Sequence, residues 1–526
     1  MGDFQTPAGL VAAVLERLGR NDGRWTRALE PTCGEGRFLA GLLASADAPR
    51  EMIGVEIQAD HLAKARKAAS GAPVGVRIEL IEGNVFELDL AGLKWRESGP
   101  LLVLGNPPWV TNSALGALGS ENRPARVNAK GVRGIDAKTG ASNFDIGEAV
   151  WLKLLKELAP EKPTIALLCK TSVSRNVLEY VAKNALPVSS AWVAKIDTRA
   201  WFGASVEACL LCVTLGGNST LERISVFEGL DALKPCAAMG FARGKAVADL
   251  DAYAAFAFAD GQCGLVWRQG VKHDAAEVME LALDGAGIPR NKQGDVVDVE
   301  PEHLFPLLKG SDLARPRLVE TGRRVLLTQR TVGEDTRPLE HHAPRLWAYL
   351  QAHKEAFSRR KSSIYRGRPP FSMFGVGPYC FSGYKVAVSG LHKGAVFHAV
   401  GPGAGLSPVL MDDTGYFLPC RSVEQAAFVA RLLNGPAARG LLRALTFSGA
   451  KRPVTKRILQ RVDLRALLDA SSDTSALLAG AEADIMRLAG RRAVWPPRPE
   501  ELLEPLSSQG DIHAWPSPPS TTSAGR

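Results

Sequence analysis

The chain has 526 residues, of which 46% are hydrophobic and 23% are charged. At roughly 150 residues per domain, this length predicts about three domains, or two large ones with connecting segments. This length excludes one small binding module, and the composition, which is that of an ordinary globular protein, excludes a chain disordered throughout. The net charge of +9 favours a polyanionic partner.

The N terminus and the cysteines limit the cellular location. Residues 1–5 have neither the cationic start nor the apolar core of a signal peptide. The longest apolar stretches, such as 101–104 and 165–169, are far shorter than the ~20 residues of a membrane span. The eight cysteines lack paired metal-ligand spacing. We expect a cytoplasmic protein with reduced thiols, no metal and no membrane contact.

From residue 8 to about 216, helical patterns alternate with short apolar runs, as is typical of a parallel sheet covered on both faces. This pattern predicts about seven strands. A Gly- and Lys/Arg-bearing stretch at 110–142, with Lys130, Arg133 and Lys138, interrupts it and predicts a long functional loop. The remaining segments are predicted as an Ala-rich connector with helices (218–290), an α+β domain (291–470), and a helical segment with a disordered tail from Trp495 (471–526).

A glycine-rich turn follows the first predicted strand. It runs Glu30-Pro31-Thr32-Cys33-Gly34-Glu35-Gly36 and leads into a helix, so a ligand could approach its backbone closely. The next strand ends in Glu56, ~20 residues on, where doubly wound sheets place a carboxylate for ribose hydroxyls. Together the two motifs predict a site for a nucleoside-containing cofactor.

A second motif, Asn106-Pro107-Pro108-Trp109, follows the apolar strand 101–104. The two prolines stop the strand and stiffen the backbone, which fixes the Asn106 side chain and the Pro107 carbonyl at the sheet edge. Two acceptors there could bind both N–H groups of an exocyclic amine and expose its lone pair, while Trp109 stacks on the ring.

These motifs resemble those of the gamma-class, TaqI-like N6-adenine DNA methyltransferases over residues 2–216. The resemblance implies a Rossmann-like S-adenosylmethionine-dependent methyltransferase domain, with a seven-stranded, mainly parallel sheet, over residues 1–217. It implies a catalytic tetrad at 106–109. The cofactor contacts that it implies are Thr6 of the opening motif 2–7, Glu30, Pro31, Cys33, Gly34, Gly36, Glu56, Ile57, Asn84 and Val85.

Two positions depart from the family pattern. Where the family has Asp-Phe, this chain has Asn84-Val85-Phe86, and Asn84 can still accept a hydrogen bond. The chain also begins at the opening motif, so either this subgroup is short there or translation starts upstream.

A later motif at 201–206 implies that Phe202, with Trp201 as the alternate, contacts the target base. Cys33 is interpreted as a packing residue and not as a nucleophile.

Two clusters of cations lie in the second domain, at 353–368 and 443–465, and fit contacts to phosphates. This domain resembles the TaqI-like target-recognition region, which implies double-stranded DNA as the partner. The predicted DNA-binding residues are Arg359, Arg360, Lys361, Arg366, Arg368, Lys451, Arg452, Lys456 and Arg457.

We therefore expect a nucleoid-associated enzyme that transfers a methyl group from S-adenosylmethionine to N6 of a flipped-out adenine, as the modification enzyme of a restriction-modification system. A separately encoded endonuclease is a further expected partner. Methylation of N4 of cytosine, of an RNA base or of a protein glutamine remains open, as does a non-catalytic DNA-binding subunit.

Overall fold

A computed structural model describes residues 5–20, 25–110, 145–217, 221–318, 321–403, 407–447 and 452–505. The chain divides into two compact units, Met1–Asp251 and Ala252–Arg526. Residues 111–142 of the expected long loop, with Lys130, Arg133 and Lys138, lie outside the described residues. None of the helices in the described ranges combines the length and hydropathy needed to cross a membrane.

The first unit alternates strands and helices, as its sequence predicts. Its strands are β1 Arg27–Glu30, β2 Glu51–Glu56, β3 Arg77–Glu82, β4 Leu101–Gly105, β5 Thr164–Lys170, β6 Val188–Ile196, β7 Ala208–Leu215, β8 Arg223–Phe227, β9 Ala237–Ala242 and β10 Lys245–Val247. Its helices are α1 Ala8–Gly19, α2 Arg37–Leu43, α3 Ala59–Ala69, α4 Ile146–Glu157, α5 Thr171–Lys183 and α6 Thr198–Phe202; α7 Leu250–Ala254 crosses the unit boundary.

The described strands of this unit form one sheet in the order β10-β9-β8-β6-β7-β5-β4-β1-β2-β3. β1 lies between β2 and β4 and is parallel to both, so the direction of chain progress along the sheet reverses there. In open α/β sheets such a reversal opens a crevice at the carboxyl ends of the strands. The glycine-rich turn follows β1 and the Asn-Pro-Pro-Trp segment follows β4, so both predicted motifs meet at that crevice.

Burial explains why this sheet forms. β1, β2 and β4 are buried at every position, as expected of central parallel strands with helices on both faces. On α1, Leu10, Val14 and Leu18 recur at helical spacing and pack into the same core as Phe38 of α2 and Leu62 of α3. The short apolar runs and the amphipathic helices therefore pack as the sequence pattern predicts.

The predicted α/β class is confirmed, and the seven predicted strands correspond to β1–β7. β7 is antiparallel to both β5 and β6, whereas β1 to β5 pair in parallel. The expectation of an irregular connector at 218–290 is wrong, because β8, β9 and β10 extend the sheet from within it. Ala237–Ala242 contains three alanines and a glycine, which have low strand propensity. Its pairing with β8 decides the conformation.

The second unit contains two smaller sheets, as an α+β domain should. In the described residues their orders are β11-β19-β16-β17 and β13-β12-β15-β14-β18. The strands are β11 Arg268–Gln269, β12 Glu280–Leu283, β13 Pro289–Arg290, β14 Leu304–Leu308, β15 Arg323–Leu326, β16 Tyr384–Ser389, β17 His398–Val400, β18 Leu410–Met411 and β19 Gly415–Cys420. The helices are α8 Ala276–Met279, α9 Gly310–Leu313, α10 Leu339–His342, α11 Pro344–Ala352, α12 Lys354–Ser358, α13 Val423–Leu433, α14 Pro436–Leu445, α15 Lys456–Leu459, α16 Leu464–Asp469 and α17 Thr474–Ala489.

The segment after α17 is ordered further than the sequence predicts. Trp495 packs against the small core formed by α13 and α17. Leu502 is buried, and its carbonyl accepts a hydrogen bond from the Gln425 side chain at 3.0 Å. The expected disorder from Trp495 is therefore wrong for residues 495–505, because apolar and amide contacts hold them to α13. Residues 506–526 lie outside the described part of the chain.

Candidate active site

The glycine-rich turn has a backbone that only glycine adopts easily. Gly34 and Gly36 have φ of +52° and +75°, in the left-handed region. A Cβ on Gly36 would lie 3.0 Å from the Cα and the Cβ of Ala65 on α3. The turn is joined to β2 by a hydrogen bond from Cys33 N–H to the Val55 carbonyl, at 2.8 Å. It therefore lies tightly between α3 and the end of β2, with its backbone close to the crevice.

Glu56, at the end of β2, ties this turn to the neighbouring strand. One carboxylate oxygen accepts from Gly34 N–H at 2.9 Å, and the other accepts from Gln58 N–H at 2.8 Å. Each oxygen keeps a second lone pair. Ile57 beside it is 43% exposed, although it is a large apolar residue. The structure thus brings the two predicted cofactor motifs together and leaves an apolar side chain uncovered beside them.

Glu30, the last residue of β1, is only 2% exposed. Its Oε2 is buried and has no hydrogen-bond partner among the described residues. Burial, and secondarily the negative charge of Glu56, raises the pKa of Glu30 well above its usual range, although the backbone N–H of Leu39 partly opposes this shift. A buried acid with a free acceptor next to a glycine turn is suited to a cationic ligand group, which would compensate the lost hydration.

Cys33 lies in the same turn and is also buried. Burial, followed by the charges of Glu30 and Glu56, raises the pKa of its thiol. A thiolate is the nucleophilic form of cysteine, and this environment opposes it. The geometry therefore agrees with the interpretation of Cys33 as a packing residue.

Asn106 directly follows β4, on the strand adjacent to Glu30. Its side-chain Nδ2 donates to Oγ1 of Thr6 at 3.3 Å, which joins the opening motif to the Asn-Pro-Pro-Trp segment. Gly105 just before it has a φ of +152°, and a Cβ there would lie 3.5 Å from Cγ of Glu30. The predicted catalytic segment and the predicted cofactor turn therefore form one site at the switch point of the sheet.

Two aromatic rings contact each other beside the Asn-Pro-Pro segment. Trp109 is 6% exposed, and its ring meets the ring of Phe202 edge-to-face, with the centroids 5.3 Å apart and the planes at 74°. Trp201 instead packs near α1, where a Cβ on Gly9 would lie 3.2 Å from its ring. Phe202, and not the alternate Trp201, is thus the aromatic residue of α6 that contacts Trp109.

Asn84 and Val85 follow β3, one strand further from the switch point. Oδ1 of Asn84 accepts from the Phe86 N–H at 3.0 Å, and its Nδ2 donates to Glu87 at 3.3 Å. The side chain therefore caps the turn 84–88, and one lone pair of Oδ1 remains for a ligand. Val85 is buried, whereas Phe86 is half-buried.

Sequence reasoning missed three residues of this site. Asp145 caps α4 and forms an ion pair with Lys170 at the end of β5, with Oδ2 and Nζ 2.6 Å apart. Burial raises the pKa of Asp145, and Lys170 opposes that shift. Oε1 of Gln5 accepts from the Glu35 N–H at 3.4 Å. Lys170 could have been found from its place at the carboxyl end of a strand, and Gln5 from the opening motif 2–7; Asp145 carries no such signal.

No protein-family model matches the chain. It is 36% identical over 468 residues to the type II methyltransferase M.NspV of Nostoc sp., which covers 89% of this chain and 96% of that protein. The chain belongs to the type II methyltransferases. The expected gamma-class, TaqI-like assignment is thereby supported at the level of a restriction-modification methyltransferase.

Two solved structures align with this methyltransferase. The type IIL restriction-modification enzyme MmeI, in complex with DNA, aligns with a TM-score of 0.49 and 12% identity over 94% of this chain and 74% of that chain. A type I restriction-modification methyltransferase subunit from Streptococcus thermophilus aligns with a TM-score of 0.30 and 16% identity over 43% of this chain and 47% of that chain. At these values the likenesses carry no argument about function.

S-adenosylmethionine is the cofactor expected of this methyltransferase family. The residues at the switch point fit it, because Gly34 and Gly36 give the turn a left-handed backbone without side chains at the carboxyl ends of the strands. Within the described ranges, two buried oxygens there, Oε2 of Glu30 and Oγ1 of Thr32, have no hydrogen-bond partner. Exposed Ile57 offers an apolar surface to a purine ring. A cationic, partly apolar nucleoside matches this set of groups.

The predicted DNA-binding residues of the second unit differ in their surroundings. The Arg360 guanidinium lies 3.8 Å from the ring centroid of Tyr365 and donates to the Ser372 carbonyl at 2.8 Å. Arg452 forms an ion pair with Asp413 at 2.8 Å. Arg359 is exposed, but pairs with Glu277 at 3.0 Å. The remaining described residues are exposed: Lys361, Arg366, Arg368, Lys456 and Arg457. Lys451 lies outside the described residues.

Proposed function

We propose that this methyltransferase transfers the methyl group of S-adenosylmethionine to N6 of adenine at a specific site in double-stranded DNA. The observation that carries the proposal is the meeting of the cofactor turn and Asn106 at one switch point, where Nδ2 of Asn106 bonds to Thr6. When bound, the cofactor would supply an activated methyl group: its S–CH3 bond would break as the N–CH3 bond forms, the neutral thioether would leave, and the amine nitrogen would release one proton. The protein therefore has to supply mainly orientation and charge placement.

Asn106 and Pro107 act on the target amine. Oδ1 of Asn106 and the carbonyl of Pro107 accept its two N–H groups, which makes the nitrogen more tetrahedral and directs its lone pair at the methyl group. Gly105 and the two prolines hold these acceptors at the carboxyl end of β4. Such an amine lies inside the duplex, so the adenine must be flipped out to reach the site.

Trp109 and Phe202 hold the flipped base. Their centroids are 5.3 Å apart, whereas a base stacked between two rings requires about 3.5 Å on each face, or about 7 Å in total. Base entry therefore separates or rotates this pair, and the edge-to-face contact fills the base site until DNA binds.

The cofactor is held by the residues at the ends of β1, β2 and β3. Glu56 would accept from the ribose hydroxyls, Ile57 and Val85 would pack on the purine, and Asn84 would accept a hydrogen bond at its edge. The aminoacyl part would lie among residues of the glycine-rich turn and the opening motif: Glu30, Pro31, Cys33, Gly34, Gly36 and Thr6. The hydrogen bonds of Glu56 to Gly34 and Gln58 support this assignment, because they orient the carboxylate at the crevice.

The exposed cations of the second unit bind the DNA backbone. Lys361, Arg366, Arg368, Lys456 and Arg457 are the main candidates, since Arg360 and Arg452 use their guanidinium groups within the unit. An enzyme of a restriction-modification system acts where the chromosome lies, so we place it in the cytoplasm, with a separate endonuclease as its partner in the system.

The test is methylation-sensitive long-read sequencing of DNA from cells that express the chain alone. We expect one sequence motif to carry N6-methyladenine with the wild type, and none with Asn106→Ala. Asn184→Ala is the matched control, because Asn184 caps the exposed end of α5 and should leave the pattern unchanged. N4-methylcytosine in place of N6-methyladenine would move the assignment to cytosine. Unmodified DNA from folded, cofactor-binding protein would refute a DNA substrate.

A further inference from the structure

Thr6 lies between the cofactor turn and the catalytic segment. It is buried, and its neighbour Pro7 precedes α1, where the Pro7 carbonyl accepts from Leu10 N–H at 3.0 Å and Val11 N–H at 3.1 Å. On its other side, Gln5 accepts from Glu35 N–H in the glycine-rich turn. The Thr6 hydroxyl therefore has a defined position relative to Asn106.

A carboxamide side chain has two chemically opposite ends. Its oxygen accepts hydrogen bonds, whereas its NH2 group donates them. An exocyclic amine with two N–H donors needs the oxygen end, so an inverted Asn106 would place a donor against a donor. Nδ2 of Asn106 faces Oγ1 of Thr6 at 3.3 Å, and this contact leaves the Oδ1 end directed away from Thr6.

We infer that Thr6 is a positioning residue, which accepts from Nδ2 and so holds the Asn106 side chain where its oxygen is presented to the target amine. This role is separate from the cofactor contact that the opening motif implies. It rests on the proposed function of Asn106, but the hydrogen bond itself can be tested without any substrate.

The kinetic test uses two substitutions at Thr6. Thr6→Val keeps the shape and removes the hydroxyl, whereas Thr6→Ser keeps the hydroxyl. With cofactor saturating each variant, we expect single-turnover methylation of the DNA to slow at least about fivefold in Thr6→Val, as loss of one hydrogen bond of this kind allows. Thr6→Ser should stay within about twofold of the wild type.

Thr214→Val is the matched control. Oγ1 of Thr214 lies 3.3 Å from Oγ1 of Thr164, so the same kind of bond is lost in the same sheet, but at the amino end of β5. A wild-type rate in Thr6→Val, or equal slowing in Thr6→Val and Thr214→Val, would overturn the inference.

The second measurement observes the amide directly. In protein labelled with 15N at asparagine, the Nδ2 resonance of Asn106 is the one missing from Asn106→Ala. We expect Thr6→Val to shift this resonance and to speed its hydrogen exchange, and Thr6→Ser to leave both near the wild type. An unchanged resonance in Thr6→Val would overturn the inference even if the enzyme were active. Absence of DNA methylation by the wild type, with the shift still present, would instead refute the proposed function alone.

Discussion

Replacement of Gly36 by alanine tests how the cofactor turn is built. Gly36 has a φ of +75°, and a Cβ there meets Cα and Cβ of Ala65 at 3.0 Å. Gly244, in the turn between β9 and β10, has a φ of +70° with nothing within 4 Å of its Cβ position. The two glycines share the backbone conformation but differ in space, so Gly244→Ala is a matched control.

The expected loss in the free energy of unfolding has two contributions for Gly36→Ala and one for Gly244→Ala. A left-handed alanine costs about 1–2 kcal/mol at either position. At Gly36 the contact with the backbone of α3 adds about 1–3 kcal/mol, because a packed helix must move. For a unit of this size, we expect a fall in the midpoint of thermal unfolding of roughly 10 °C for Gly36→Ala and roughly 5 °C for Gly244→Ala.

The cofactor separates the two variants more clearly. A shift of the turn by a few tenths of an ångström disturbs its hydrogen bond to Glu56, so Gly36→Ala should bind S-adenosylmethionine at least about tenfold more weakly by isothermal titration calorimetry. Gly244→Ala should bind it as the wild type does. Equal affinity in the two variants would refute the argument that close packing against α3 shapes the cofactor site.

Three further predictions follow from buried or exposed charges. Because Glu30 has a raised pKa, the folded state retains a proton that the unfolded state loses above about pH 4.5. Glu30→Gln should therefore unfold at a higher temperature than the wild type at pH 7 to 8, and this difference in unfolding temperature should vanish below about pH 4.5. A difference that does not depend on pH would contradict this. Burial lowers the pKa of Lys385 to about 8, from 10.5. Lys385→Met should raise the free energy of unfolding by up to about 3 kcal/mol at pH 7, and the gain should shrink as the pH rises from 8 to 10.5; chemical denaturation at three pH values checks this, and a constant gain would count against it. Arg366→Gln should reduce the slope of log affinity for DNA against log salt concentration by about 0.9. Arg360→Gln should instead lower thermal stability and leave this slope unchanged, because Arg360 contacts Ser372 and Tyr365. Identical slopes for Arg366→Gln and the wild type would exclude a phosphate contact of Arg366.

Local pattern sufficed for the elements that carry the chemistry. The apolar run 101–104 before Asn-Pro-Pro-Trp corresponds to β4, and the glycine-rich turn lies between β1 and α2. Both results depend on short-range physics, since prolines stop strands and glycines permit the left-handed turn. The alternation of strands and helices also predicts that these two motifs lie close together, because it is typical of a parallel sheet, in which the carboxyl ends of the strands share one edge.

Contacts between residues far apart in the sequence decided the conformation of segments that the sequence pattern predicted wrongly. The alanine-rich segment Ala237–Ala242 is a strand because β8 offers it hydrogen bonds, and Trp495 is ordered because α13 and α17 form an apolar surface for it. Such contacts also decided which basic residues are exposed. Arg461 belongs to a basic run that fits phosphate binding, yet it is buried in an ion pair with Asp260, 2.6 Å away.

The sequence by itself therefore determined the class of the first unit, the two motifs and the residue types that a cofactor and an amine require. Only the tertiary structure decided that Thr6 bonds to Asn106, that Phe202 meets Trp109, and that Lys170 pairs with Asp145. The physical reason is that these partners are far apart along the chain. Their contacts depend on strand order and helix packing, which no local pattern of residues encodes.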